Sequence, residues 1–368
     1  MSNPEPIYRD REIKVEAEKA PSRSGIEERW RDLESRAAPS FFQSWTWIGT
    51  LLDTVAFAPI LVVARMDGRV IGLGLLAAGT RKRFGFAWPT LSLNETGVPN
   101  YDRIFIEDNG FVAERGLEDD VTSACLRFVV EQMPEWSELH LSGVPDAVLR
   151  SARALPLPIW RDHERPSPVV DIAAMDGDNL APLSANLRQQ IRRSMRAYLK
   201  RGELALTPSS DLAEAQDRFA DMVELHQLRW SAKGKAGAFA DPFVSRFHRQ
   251  LLTRAFQRGE ADVLRTAAGS QTIGLLYTFF YRGEAYAYQS GFRYEADRHL
   301  KPGLVSHLLA LDHGRRRGIG RYRLLAGDSR YKRSLASQAY TLHWLSIRRP
   351  NLAFRVEAVA RSVTGRRP

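Results

Sequence analysis

His226, Asp328, Lys332 and the run 298–303 carry most of the chemistry this sequence can offer. An imidazole with an unperturbed pKa near 6.5 exchanges protons at neutral pH, so His226 is the first candidate for a general base. The competing reading is a helix histidine hydrogen-bonded for structure. Asp328 ends a run that reads as a strand. A carboxylate there can take a proton or orient a nucleophile, or it can cap a turn with Ser329. Tyr331 and Lys332 follow closely and can bind an anion or return a proton to a leaving group, unless Lys332 is an ordinary surface lysine. The run Arg298-His299-Leu300-Lys301-Pro302-Gly303 lies between a strand and a helix. A helix N-terminus presents free N–H groups and the positive end of the dipole, and Lys301 adds a full charge. The expectation is a pyrophosphate site at Lys301, Pro302 and Gly303, with a plain strand–helix junction as the alternative. Arg317-Gly318-Ile319-Gly320 imitates a phosphate loop but follows a helix and precedes a strand. A phosphate cradle needs the reverse order, so this run reads as a helix cap and turn.

The elements that must position these residues are legible as patterns. Runs 262–267, 272–281 and 285–292 read as strands joined by Gly269-Ser270-Gln271 and Arg282-Gly283-Glu284. Residues 304–317 have helical period, Pro302 suits the first helical turn, and 321–325 return to strand. Earlier in this half, 182–201 reads as a basic helix. Its Leu187, Ile191, Met195 and Tyr198 form an apolar stripe, and Arg188, Arg192, Arg196 and Lys200 form a second stripe at spacing four. Run 212–233 is a longer helix with His226, Arg229 and Trp230, and 242–257 a further one. In the first half, helices are expected around 26–33, at 45–54 with Ser44 as N-cap, and at 118–133. Strands are expected at 60–65, 70–77, 81–88, 104–107 and 138–141, with a loop at 91–101. Ile71-Gly72 matches Ile273-Gly274, and the order hairpin, third strand, helix, strand recurs. A tandem duplication of one α/β module follows. Its boundaries fall at 1–24 (a mobile tail), 25–165, 166–350 and 351–368 (a basic tail), with the seam among Pro166 and Pro168.

The chain has 368 residues, 44% hydrophobic and 26% charged, the balance of a soluble globular protein with room for two domains. No run approaches the roughly 18 apolar residues of a membrane helix. Residues 1–21 lack an apolar signal core, so a cytoplasmic location is the expectation. Cys125 is the single cysteine, which excludes a disulfide framework and a thiolate metal site; no metal is expected. It sits in an apolar helix and reads as core. The net charge of +10 suits an anionic ligand, a nucleic acid or a membrane surface without choosing between them.

Three segments together resemble the CelD/BcsL-type acetyltransferases, a branch of the GNAT superfamily related to the FemAB-type aminoacyl transferases. They are Leu225-His226-Gln227-Leu228-Arg229-Trp230 with Gly237-Ala238-Phe239, Tyr288-Gln289-Ser290-Gly291-Phe292 with Lys301-Pro302-Gly303, and Leu325-Ala326-Gly327-Asp328-Ser329-Arg330-Tyr331-Lys332. The resemblance implies an α/β (α+β) fold of tandem GNAT-like modules, each a mixed, mostly antiparallel sheet flanked by helices. It implies acetyl-CoA as co-substrate and an amine or hydroxyl acceptor, with a sugar or glycoconjugate precursor as a prior. Gln289, Ser290, Gly291 and Phe292 would line the pantetheine, Gly291 allowing close approach. Arg229, Trp230, Phe239, Tyr288 and Tyr331 would form the acceptor side. The usual GNAT Gly-rich pyrophosphate loop is missing, and 298–303 stands in its place. The alternative is a FemAB-like transferase using aminoacyl-tRNA, or an RNA-binding protein, supported by the arginine stripe and by Arg315-Arg316-Arg317. The first half shows no comparable acid–histidine set, which implies a non-catalytic duplicate.

Overall fold

A computed structural model describes residues 12–351 apart from 84, 176 and 178, together with Phe354. Two compact units form, residues 1–164 with 342–368 and residues 165–341. In chain order the N-terminal unit holds β1 (Lys14–Lys19), α1 (Arg23–Arg36), α2 (Trp45–Thr54), β2 (Pro59–Met66), β3 (Arg69–Arg83), β4 (Phe86–Leu93), β5 (Val112–Ala113), α3 (Glu118–Gln132), β6 (Glu138–Pro145) and α4 (Asp146–Arg153). The chain passes to the second unit within β7 (Ile159–Asp171). There follow α5 (Ala185–Leu199), β8 (Leu204–Thr207), α6 (Leu212–Ser231), α7 (Pro242–Phe256), β9 (Ala261–Ala268), β10 (Gln271–Tyr281), β11 (Glu284–Phe292), α8 (Pro302–Arg316), β12 (Arg321–Arg323) and α9 (Arg330–Leu335). The chain returns to the first unit within β13 (Gln338–Arg348).

The two units repeat one topology. In the first, β1, β2, β3 and β4 are antiparallel, β6 joins β4 in parallel, and β13 lies antiparallel to β6. In the second, β8, β9, β10 and β11 are antiparallel, β12 joins β11 in parallel, and β7 lies antiparallel to β12. Two helices separate the edge strand from the meander in each: α1 and α2, then α6 and α7. The sixth strand of the first set, β13, comes from the end of the sequence, whereas the residues of β7 that pair with β12 belong to the second unit and directly precede its helices. The fold is thus mixed α/β, with a mostly antiparallel set of strands flanked by helices in each unit.

Local chemistry explains the elements. The hairpin turns at Asp67-Gly68 and Arg282-Gly283 have positive φ at both residues, the geometry whose twist matches the strands. Side-chain oxygens of Ser44, Ser184, Asp211 and Asp241 accept N–H groups at the starts of α2, α5, α6 and α7. β10 is mostly apolar because both its faces are covered. Leu276 and Phe280 pack with Leu308 and Leu311 of α8, while the Tyr277 ring meets Phe219 of α6 and His248 of α7. Cys125 is fully buried in the first core with Val121 and Leu126. His343 is pinned in the same unit between Asp146 and Asp162, each 2.8 Å from a ring nitrogen.

Several boundaries differ from the sequence expectation. Residues 14–19, expected in a mobile tail, form β1 and pair along β2, because Val15 and Ala17 alternate with polar residues; residues 1–11 lie outside the described ones. The expected strand 81–88 is a hairpin instead, with β3 ending at Arg83 and β4 starting at Phe86 around Gly85 at φ 78°. The expected loop 91–101 begins inside β4. Ile104 ends a 3-10 turn rather than opening a strand, and the short strand falls at Val112–Ala113. Residues 342–350, expected with the C-terminal module, belong to the N-terminal unit, where Leu342 to Arg348 ladder with β6. The tail expected at 351–368 lies outside the described residues except for Asn351 and Phe354. Arg317-Gly318 is a helix cap: Gly318 has φ 73° and Ile319 N–H returns to the Gly314 carbonyl.

Glu95 follows β4 and is 9% exposed. Burial first, then the charge of Asp102, push its pKa up to about 8 against a hydrogen bond to Ser142. Between about 4.5, the unfolded value, and 8 the folded chain keeps a proton that the unfolded chain has lost. This group therefore makes stability fall as pH rises, by up to about 1.4 kcal/mol per pH unit in that window. Glu95→Gln should flatten that fall and stabilise the protein at pH 8 more than at pH 5, as read from urea unfolding midpoints. An unchanged slope would assign it to other groups.

Candidate functional site

The C-terminal unit opens a wedge in its own sheet. β11 and β12 pair only through Glu284–Tyr286 and Arg321–Arg323. Beyond that point Leu324 N–H and Gly327 N–H go to the carbonyls of Pro168 and Pro166. The chain after β12 thus follows β7, while β11 runs on to Phe292. A bulge adds to the divergence: Gln289 pairs with Tyr277 but Ala287 with Thr278, leaving Tyr288 extra.

α8 begins beside this wedge. A Cβ on Gly303 would stand 3.2 Å from the Phe292 ring, so the first turn packs over the end of β11. The helix has no side-chain cap and no acid in its first turn, and Pro302 brings no N–H of its own. Lys301 is the N-cap residue, its own N–H held by Ser194 Oγ at 2.9 Å. Arg298 and His299 are exposed, Lys301 and Gly303 half-buried, Leu300 and Pro302 buried. The run is anchored by its apolar residues and open at its polar ones. The equivalent helix of the first unit, α3, is the electrostatic opposite, with Glu118, Asp119 and Asp120 in its first turn.

On α5, which contacts α8, the expected cationic stripe is broken. Arg188 turns back to donate to the Ala181 and Leu183 carbonyls at 3.1 and 2.7 Å. Arg192, Arg193, Arg196 and Lys200 are exposed.

The face of β11 under α6 holds a different set. His226 is buried, its Nδ1 lies 3.2 Å from the Ser290 carbonyl, and its Nε2 accepts the Ala238 N–H at 3.3 Å. Burial, against the hydrogen bond to Ser290, lowers its pKa, so the ring is neutral at pH 7. With Nδ1–H donated to a carbonyl, the single lone pair on Nε2 is already used. The base role expected for His226 does not fit this geometry. Gly291 answers to the same helix: a Cβ there would sit 2.5 Å from the Met222 carbonyl oxygen and 2.8 Å from Leu225 Cβ. The close approach expected from a ligand is made by α6. Phe239 and Tyr288 are buried in an aromatic cluster with His226, His248 and Phe279, and form core rather than an acceptor wall. Trp230 lies half-buried beside His226, Gln289 and Ser290 are half-buried, and exposed Arg229 covers the Tyr294 ring at 4.2 Å.

The last motif splits. Lys332 Nζ donates to the Leu325 and Ala326 carbonyls, both at 2.9 Å, and so clamps a turn in which Leu325 has φ 62°. That engagement competes with the anion-binding and proton-donating roles expected of it. Asp328 is exposed and paired with Arg333. Tyr331 faces inward and stacks on His307 of α8 at 5.4 Å and 18°. Burial, then the charge of Tyr294, push its pKa up to about 12, so it is a neutral phenol. Thus Phe292, Tyr331 and the amino end of α8 come together, whereas His226, Phe239 and Tyr288 lie across the sheet. Sequence reasoning missed His307, Tyr322 and Tyr294. The available signal was a histidine amid the apolar stripe of an expected helix.

Residues 185–333 match the family model described as an acetyltransferase (GNAT) domain. The crystal structure of FemX superposes with a TM-score of 0.60 at 11% identity, covering 89% of this chain and 97% of that one. The C-terminal domain of a putative lysylphosphatidylglycerol synthetase from Agrobacterium fabrum gives 0.54 at 13% identity, covering 93% and 97%. L-PGS from Bacillus licheniformis gives 0.54 at 10% identity, covering 92% and 97%. At such identities these likenesses speak for the fold. No curated protein matches by sequence. The matched domain coincides with the C-terminal unit from α5 into α9 and marks the chain as an acyltransferase.

Gly291→Ala should force α6 off β11 and cost about 1–3 kcal/mol of stability. His226→Ala should cost a similar amount, roughly 1–3 kcal/mol, by orphaning the Ser290 carbonyl and the Ala238 N–H. Chemical denaturation would read both. Unchanged stability with abolished turnover in His226→Ala would restore that residue to the chemistry.

Proposed function

We propose that the C-terminal unit transfers an acyl group, acetyl in the first instance, from a CoA thioester to an amine or hydroxyl acceptor. The observation that carries this reading is the wedge between β11 and β12 beside the uncapped amino end of α8. The free N–H groups of Gly303 and Leu304, the helix dipole and the Lys301 charge suit a diphosphate. The pantetheine arm would run along the unpaired edge of β11, past Gln289 and Phe292. The acidic first turn of α3 repels the same anion, which makes the N-terminal unit a non-catalytic duplicate.

The acceptor nitrogen or oxygen attacks the thioester carbonyl carbon, the C–S bond breaks, and the acceptor proton must leave. Much of the acceleration comes from holding the two substrates in line. Tyr331, held neutral by burial, can give its proton to the departing thiolate and recover one from solvent. Asp328, exposed just beyond the last residues that follow β7, is the candidate to accept the acceptor proton or orient the acceptor. Arg229 and Trp230 lie on the α6 side and would contact the acceptor. Lys332 and His226 support the site rather than react in it.

The resemblance to CelD/BcsL-type enzymes favours a sugar or glycoconjugate precursor as acceptor. A second reading, a FemAB-like transferase that takes its acyl group from aminoacyl-tRNA, draws on the exposed cations of α5. Among the described residues Arg192, Arg193, Arg196 and Lys200 have no carboxylate partner.

Mass spectrometry of reactions containing acetyl-CoA and a panel of amines and sugars should show an acetylated product. Tyr331→Phe and Asp328→Asn should each lower turnover by roughly 10²-fold. Lys301→Ala should weaken CoA binding by about five- to tenfold, the worth of about 1 kcal/mol near a helix end. Tight tRNA binding that collapses between about 50 and 200 mM salt, with no acetylated product, would select the second reading.

A further inference from the structure

His307 is a buried histidine that the reaction just described does not use. It is 2% exposed, on the second turn of α8. Its ring bridges the wedge, 6.0 Å from Phe292 at the end of β11 and 5.9 Å from Tyr322 on β12. The Tyr331 ring stacks on it. Nδ1 lies 2.9 Å from the Tyr322 hydroxyl.

Among the described residues the Tyr322 hydroxyl has no partner besides Nδ1. Each way of making this bond leaves one hydrogen unused, the phenolic one if Nδ1 donates and the Nε2 one if the hydroxyl donates. A neutral histidine side chain intrinsically prefers its hydrogen on Nε2, and on that ground the hydroxyl is taken to donate to Nδ1 and the ring hydrogen to sit on Nε2. Burial and the Lys332 charge keep the ring neutral, so no second hydrogen is added near pH 7. Yet Nε2 is itself buried and has no hydrogen-bond partner among the described residues. An N–H fixed in place, dry and without an acceptor costs about 1–3 kcal/mol unless something arrives to use it.

We propose that His307 Nε2–H donates to the acyl carbonyl oxygen of the thioester held in the wedge, which makes His307 a catalytic residue and Tyr322 the positioning residue that sets its tautomer. This rests on the acyl-transfer reading. When the acceptor adds to the carbonyl carbon, the electron pair moves onto that oxygen, and a donor already aimed at it stabilises the negative charge. The pair returns as the C–S bond breaks. A single donor of this kind is worth roughly 10²–10³ in rate. No proton is transferred by His307, so the contribution needs no titration of the ring.

The test uses the full chain with ¹⁵N-labelled histidine and two probes, CoA and acetyl-CoA. In the free protein the His307 signals should show the Nε2–H tautomer, and Tyr322→Phe should relax that preference. Saturating acetyl-CoA should shift the Nε2–H signal, while CoA, which lacks the carbonyl, should leave it near its free position. His307→Phe keeps a ring against Tyr331 and removes the donor. It should lower turnover by roughly 10²-fold or more with CoA affinity changed less than about twofold. Saturable acetyl-CoA binding with an unmoved His307 signal overturns the assignment and leaves acyl transfer standing. Absence of any acetyl-CoA binding overturns both. The labelled wild-type protein decides between these outcomes even if His307→Phe does not fold.

Discussion

The divergence of two parallel strands governs the C-terminal unit. The chain could have continued beside β11 past β12, whose three residues all pair there. It turns to β7 instead because the carbonyls of Pro166 and Pro168 capture Gly327 and Leu324 N–H. Proline has no N–H to give back, so this stretch of ladder is one-sided. Backbone edge is thereby exposed along β11 where a ligand can add hydrogen bonds. The bulge at Tyr288, the start of α8 and the inward turn of Tyr331 all take their meaning from that opening.

Around the opening the structure separates support from chemistry. Lys332 clamps two carbonyls of a turn that includes a left-handed leucine, a conformation that favours glycine. His226 ties α6 to β11 and to the loop at Ala238 through both ring nitrogens. Gly291 lets that helix lie directly on the strand. Three residues that resemble catalytic parts by type therefore hold the walls in place. The groups that face the wedge, Phe292, His307, Tyr322 and Tyr331, are four rings that carry few polar atoms, which suits a dry site where one hydrogen bond has full electrostatic effect.

The two units share a topology and differ in one helix end. Both units have the meander, the crossover helix and the parallel strand in the same order. The contrast lies in the charge at one helix end: three acids open α3, whereas α8 has none and is preceded by Lys301. A fold shared by two modules is compatible with opposite ligand preferences, because function resides in the site and not in the scaffold.

Composition and period alone determined much of this protein. The strand runs of β9 to β11, the helices α5, α6 and α8, and the capping of α2 by Ser44 were legible because they depend on neighbours within a few residues. So was the start of α8 at Pro302, after Lys301 and with no acid in its first turn. Only the tertiary structure decided that β1 is a strand, that β13 completes the first sheet, and that His226 is a brace while His307 faces the wedge. Each of those depends on partners far along the chain: β13 on β6, His226 on Ser290, His307 on Tyr322. A histidine's role is set by what meets its two nitrogens, and that is a property of packed elements and not of residue type.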